Sequence, residues 1–166
     1  MIQGNNLLQL QDKVAIVTGA ATGLGAATAH MLAEAGAHVL INYMPGQESQ
    51  AHGVADQCAS IEASESLCVA ADITQDAQCK SLVQAAVKQW GRVDILVNNA
   101  GINKLVEHHD LDGLSAEDFM AIYQVNVIGA YQMIRAVAPT MQQQGKGVVV
   151  NISSAAGESG RGSSVA

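Results

Sequence analysis

Thr18 to Gly25 reads TGAATGLG, with glycines at 19, 23 and 25 lying between an apolar run and a helical pattern. Small residues there let backbone approach a phosphate closely. The opening turn of a helix adds free amides and the positive end of its dipole. Gly19, Thr22, Gly23, Leu24 and Gly25 are thus candidates for a pyrophosphate cradle. No lysine follows the last glycine, which argues against a P-loop ATPase. Asp72, followed by Ile73 in AADIT, ends another apolar run; its carboxylate suits either an adenine amino group or a helix-opening turn. In NNAG, Asn99, Ala100 and Gly101 suit close backbone contact with a flat ligand, although Asn and Gly are also ordinary turn residues. Asn126 lies in an apolar helical stripe, and a buried amide without partners costs roughly 1–3 kcal/mol. It either ties helix to sheet or orders a water or proton path. Ser153 and Ser154 follow a β-rich run with no G-x-S-x-G elbow around them, which argues against a hydrolase nucleophile.

The elements that must position these residues are legible as alternating patterns. Five apolar runs read as strands: 13–18, 37–43, 67–72, 93–98 and 147–153. Between them lie helical stripes. The first is Leu24, Ala27, Thr28, Met31, Leu32 and Ala35, stopped by Gly36. A weaker one carries Val54, Ala55, Cys58 and Ile61; the next carries Cys79, Leu82, Val83, Ala86, Val87 and Trp90. Ser115, with Asp118 three residues on, opens the longest helix. Its stripe is Phe119, Ile122, Tyr123, Asn126, Ala130, Met133 and Ile134, and Pro139 is expected to kink or end it. Such alternation predicts right-handed crossovers and an α/β, Rossmann-type doubly wound parallel sheet, order 3-2-1-4-5, in three α/β/α layers. Ligands of such sheets sit beyond the carboxyl ends of the strands, where the candidate residues fall.

Composition narrows the function classes. Among 166 residues, 49% are hydrophobic and 14% charged, which suits one well-buried domain spanning 1–166. Eight basic against fifteen acidic residues, with no basic run, argue against nucleic acid and anionic membrane as partners. No apolar stretch is long enough to span a bilayer, and the first residues do not read as a signal peptide. Cys58, Cys68 and Cys79 lack C-x-x-C spacing and read as free thiols of a cytoplasmic protein. Glu107, His108, His109 and Asp110 read as a solvated loop rather than a metal site, because adjacent histidines point apart.

Taken together, the motifs resemble the short-chain dehydrogenase/reductase family. Thr18–Gly25 matches its glycine motif, WGRVDILVNNAG (90–101) is typical of it, and Asn126 and Ser154 match its catalytic asparagine and serine. The resemblance covers about Lys13 to Gly157. It implies NAD(P)-dependent hydride transfer between an alcohol and a carbonyl of a small-molecule substrate. Ser154 would polarise the substrate oxygen and Asn126 would hold a water in a proton relay. A tyrosine, with a lysine four residues beyond, would act as general acid and base. That tyrosine would fall one position past Ala166; Tyr123 and Tyr131 lie on another helix and are not expected to replace it. The domain is therefore expected to be C-terminally incomplete and inactive in the redox step by itself. A homo-oligomer, tetramer or dimer, is implied for the complete protein.

Asn42 and Tyr43 occupy the strand end where NAD-preferring members carry an acid for the ribose. Thr22 and Met44 are uncharged where a 2′-phosphate would meet a base. With no acid to repel that phosphate, NADP, or use of both cofactors, is expected over NAD alone. The alternatives are a catalytically dead dinucleotide-binding module or sensor and a methyltransferase on a similar sheet, the latter disfavoured by NNAG with Asn126 and Ser154.

Overall fold

Val14–Val17 (β1) is buried along its whole length, as expected of a strand covered on both faces. The computed structural model describes residues 9–62, 64–160 and 166. After β1 come α1 (Gly23–Glu34), β2 (His38–Tyr43), α2 (Glu48–Ala59), β3 (Ser66–Ala70), α3 (Asp76–Trp90) and β4 (Ile95–Asn98). Then come α4 (Ala116–Tyr123), a π-helical turn (Gln124–Gly129), α5 (Ala130–Gln144), β5 (Val148–Asn151) and the short α6 (Ala156–Ser159). The sheet order is β3-β2-β1-β4-β5 and every ladder is parallel. This is the expected Rossmann-type architecture.

The period-two alternation of the strands sorts the core into two layers. Val14, Ile16, Leu40 and Leu96 pack with Cys79, Leu82, Val83 and Ala86 of α3 and Met133, Val137 and Met141 of α5. Val17, Val39, Ile41 and Val97 pack with Ala29 and Ala33 of α1 and Ala51, Val54, Ala55 and Cys58 of α2. Full burial of each such large side chain contributes about 1.5–3 kcal/mol.

Several local expectations change. The buried face of α1 is Gly25, Ala29 and Ala33, whereas Leu24 is 60% and Met31 64% exposed. Small side chains let this helix lie close on the sheet, so the bulky positions turn outward. Asp72 falls beyond β3 rather than at its end. Pro139 sits inside α5, which runs five residues past it. Burial of Val137 and Met141, and the Gln144 amide paired with both backbone groups of Val93 at 2.9 and 2.8 Å, offset its missing amide. The capping box at Ser115 and Asp118 forms as expected. The apolar stripe of the long helix does not stay on one face, because the π-helical turn shifts its register. Ile122, Gly129 and Met133 are buried, while Phe119, Tyr123 and Asn126 are exposed. β5 is apolar yet exposed along its length; it pairs with β4, and no helix among the described residues covers it.

Candidate functional site

Two clefts open at the carboxyl ends of the strands, divided by Asn99, Ala100 and Gly101, which line both. The first, of about 420 Å³, runs from the glycine-rich turn to the start of α3. It is lined by Gly19, Thr22, Gly23, Leu24 and Gly25, by Asn42, Met44 and Gln47, and by Ala71, Asp72 and Ile73. The second, of about 600 Å³, lies between the π-helical turn, α5 and the segment after β5.

The glycine positions are dictated by close approach. Gly19 has φ +61°, and a Cβ there would lie 2.9 Å from Ala100 Cα. A Cβ on Gly25 would collide with the Asn99 amide and with the Gly19 carbonyl oxygen. Thr22 is the N-cap residue of α1, but its hydroxyl does not cap the helix. The first-turn residues of α1 line the cleft and their amides receive no side-chain cap from Thr22, which suits an anionic phosphate.

Amides and a hydroxyl hold the dividing wall. The Thr18 hydroxyl accepts from the backbone amides of Asn99 and Ala100, both at 3.0 Å. The Asn99 side chain donates to the carbonyls of Thr18 (2.9 Å) and Gly19 (3.1 Å). One residue back, Asn98 donates to Asn151 Oδ1 at 2.9 Å, joining the ends of β4 and β5. Its own Oδ1 is buried without a partner among the described residues, which leaves an acceptor at the meeting of the two strand ends.

Asn126 and Ser154, distant in sequence, line the second cleft together. Asn126 is exposed on the cleft wall rather than buried, because the π-helical turn swings it out of the core-facing stripe. Its amide is fixed by both backbone groups of Ile102: Oδ1 accepts from the amide at 2.9 Å and Nδ2 donates to the carbonyl at 3.0 Å. Each end of the side chain makes one of these bonds and keeps a second lone pair or hydrogen for a further partner. Ser154 is exposed, and its hydroxyl accepts from the Ala156 amide at 3.1 Å, which leaves its hydrogen free to donate. Tyr131 is on another helix, as expected, yet it lines this cleft with Ser154.

Other candidates land less directly. Tyr43 is 7% exposed, packs in the layer with α1 and α2, and is not among the cleft-lining residues; Met44 stands there in its place. Asp72 lines the first cleft, but its Oδ1 also accepts from the Thr74 amide at 2.9 Å, a turn closing toward α3. Met44, expected near a 2′-phosphate, lines the same cleft, and Gln47, Ile102 and Val125 line it without a motif to mark them. Glu107, His108 and Asp110 line a separate depression with Leu111, Leu114 and Phe119. Among the described residues, Asp72 is the one carboxylate lining the two main clefts, and no lysine or arginine lines either. No helix of the described residues is long and apolar enough to cross a membrane.

The short chain dehydrogenase family model matches residues 13–166. A 3-oxoacyl-[acyl-carrier-protein] reductase of Staphylococcus epidermidis is 33% identical over 149 residues, covering 90% of this chain and 59% of that protein. An uncharacterized oxidoreductase of Thermotoga maritima is 37% identical over 150 residues, covering 90% and 57%. The structure of an NAD+-bound xylitol dehydrogenase aligns with TM-score 0.85 and 28% identity, over 93% of this chain and 57% of that one. The chain thus spans less than two thirds of the length of these relatives. It belongs to the short-chain dehydrogenase family, whose members are oxidoreductases acting on small molecules.

Proposed function

We propose that this short-chain dehydrogenase belongs to a protein that interconverts an alcohol and a carbonyl with NADP or NAD as the hydride carrier. The observation that carries the proposal is one wall with a cleft on each side: the glycine-rich cleft meets the Asn126 and Ser154 cleft at Asn99–Gly101. A nicotinamide dinucleotide bound in the first cleft supplies or accepts the hydride. The first-turn amides of α1, over Thr22, Gly23, Leu24 and Gly25, would hold its phosphates, and the turn at Asp72 and Ile73 would hold its adenine. Asn99, Ala100 and Gly101 would bring backbone against the ring.

Ser154 would donate its hydroxyl hydrogen to the substrate oxygen and hold that oxygen where negative charge develops. Asn126 fixes the backbone of Ile102, which lines the first cleft, to the π-helical turn, which lines the second. Neither residue is an acid or base at neutral pH, and no lysine is among the described residues lining the cleft. The proton that must accompany the hydride needs a further group. On this reading a tyrosine and a lysine, the general acid and base that the family likeness implies, would carry that proton. A cytoplasmic homo-oligomer follows from the same family likeness. The 3-oxoacyl reductase among the relatives makes a 3-oxoacyl thioester the first substrate to try, and the xylitol dehydrogenase neighbour makes a ketose the second.

The test is consumption of NADPH or NADH by the complete protein on addition of either carbonyl. Consumption with at least one pair is expected. Tight binding of both nucleotides with no consumption across a broad carbonyl panel would favour the catalytically dead binding module instead.

A further inference from the structure

We infer that Asn42 is a positioning residue: its side chain latches the glycine-rich turn to the strand that carries the adenine wall. The inference rests on the dinucleotide reading of the first cleft. Asn42 stands at the strand end where a ribose contact is expected, but it is only 2% exposed. Its Oδ1 accepts from the Gly19 amide at 3.2 Å, and its own carbonyl accepts from the Ala20 amide at 2.8 Å. One residue thus grips two consecutive amides of the turn. Its Nδ2 donates across the sheet to the Ala71 carbonyl at 2.9 Å and lies 3.4 Å from the carbonyls of Val69 and Tyr43. The donor end and the acceptor end therefore bind opposite banks of the cleft, Gly19 on one side and Ala71, next to Asp72, on the other.

Two consequences follow. The Gly19 and Ala20 amides point at Asn42, so they do not serve a phosphate; that role is left to the opening amides of α1. With Tyr43 packed in the core, the groups left near the ribose are Thr22, Met44 and Gln47, all uncharged. The Gln47 Oε1 accepts from the Met44 amide at 3.3 Å, which holds that loop closed. Asn42 should therefore affect NADH and NADPH alike, whereas a ribose ligand would separate them.

The test uses the complete protein with Asn42→Ala and Asn42→Asp, and NADH and NADPH as the probes. Asn42→Ala removes the bond to Gly19 and keeps the one to Ala20. Amide exchange at Gly19 should rise roughly tenfold, with Ala20 still protected, and both nucleotides should bind about 3- to 10-fold more weakly, by similar factors. Asn42→Asp separates the roles by pH. Ionised, it still accepts from Gly19 but faces Ala71 with no hydrogen to donate; protonated, it can do both. Affinity for both nucleotides should then recover as pH falls, a step absent from the wild type. Asp72, Tyr43 and Glu48, the neighbouring titratable groups, are present in both proteins, so the wild type is the control. Unchanged exchange at Gly19 in Asn42→Ala would overturn the inference. So would equal loss of protection at Gly19 and Ala20, which would assign Asn42 to global stability. An Asn42→Asp variant that keeps NADH and rejects NADPH would make it a ribose ligand instead. A wild type that binds neither nucleotide would count against the proposed function, while exchange at Gly19 would still decide the latch.

Discussion

The two ends of the sheet are built from different chemistry. At the amino ends of the strands, charge closes the structure. Arg92 grips Asp94 through Nε (2.7 Å) and Nη2 (2.6 Å), and Asp94 Oδ2 also accepts from the buried Val14 amide at 3.0 Å. Nearby, Trp90 stacks on His38 and donates to Glu65 at 2.8 Å. At the carboxyl ends, Thr18, Asn42, Asn98, Asn99, Asn126 and Asn151 join the walls of the clefts with neutral amides and one hydroxyl; the ion pairs on that side, Asp76 with Lys80 and Arg135 and Lys104 with Asp118, stand outside the cleft linings. Ion pairs are strong where little must move or bind. Amides fix geometry without a charge that would repel an anionic ligand, and they leave the field at that end to the helix dipole of α1. The amino end therefore carries stability, and the carboxyl end carries the site.

Substitutions at the two ends should separate along that line. The largest effect is expected from Ser154→Ala in the complete protein. Loss of a donor at the developing negative charge should cut kcat roughly 10²–10³-fold, with nucleotide affinity unchanged and the melting temperature little moved. Equal activity in this variant would remove Ser154 from the chemistry. Asp94→Ala is the counterpart at the other end. It strands the buried Val14 amide and unpairs Arg92, so stability should fall by about 2 kcal/mol in denaturant titration, with nucleotide affinity preserved in the folded fraction. If Asp94→Ala weakened binding instead, the two ends would not be independent.

A charge introduced at the neutral end should sharpen the contrast further. Met44→Arg should shift preference toward NADPH, and Met44→Asp toward NADH, each about tenfold in the ratio of dissociation constants. No shift in either variant would move the ribose away from this loop.

The smallest effect is one of pH. Burial pushes the Asp94 carboxyl up, but the hydrogen bonds from Arg92 and the Val14 amide outweigh it and hold it below the usual carboxylate range. A carboxyl lowered in the folded state contributes stability above its unfolded value, about 3.9, and loses it as pH falls through the folded value. The stability advantage of the wild type over Asp94→Asn should thus be full at neutral pH and fade below about pH 4. A gap that stayed constant through this range would mean the carboxylate charge contributes nothing.

The sheet order and the gathering of candidate residues at the carboxyl ends of the strands were legible because strands buried on both faces read as unbroken apolar runs and glycines mark close approaches. Side-chain direction was less so. Stripe reading ranks faces by bulk, so it favoured Leu24 and Met31 over the small face of α1 that packs on the sheet. It also assumes one helical period, and the π-helical turn breaks that period at Asn126. The role of Asn42 was invisible for another reason: its partners are backbone groups of Gly19 and Ala71, which no side-chain pattern records.

The most direct measurement follows the hydride itself. The complete protein is given a 3-oxoacyl thioester or a ketose with reduced nicotinamide deuterated at the transferred position, and the alcohol product is examined by mass spectrometry. The account predicts one deuterium on the carbinol carbon and an exchangeable hydrogen on its oxygen. Alcohol formed without deuterium from either prochiral label, or no alcohol from any carbonyl despite nucleotide binding, would contradict it.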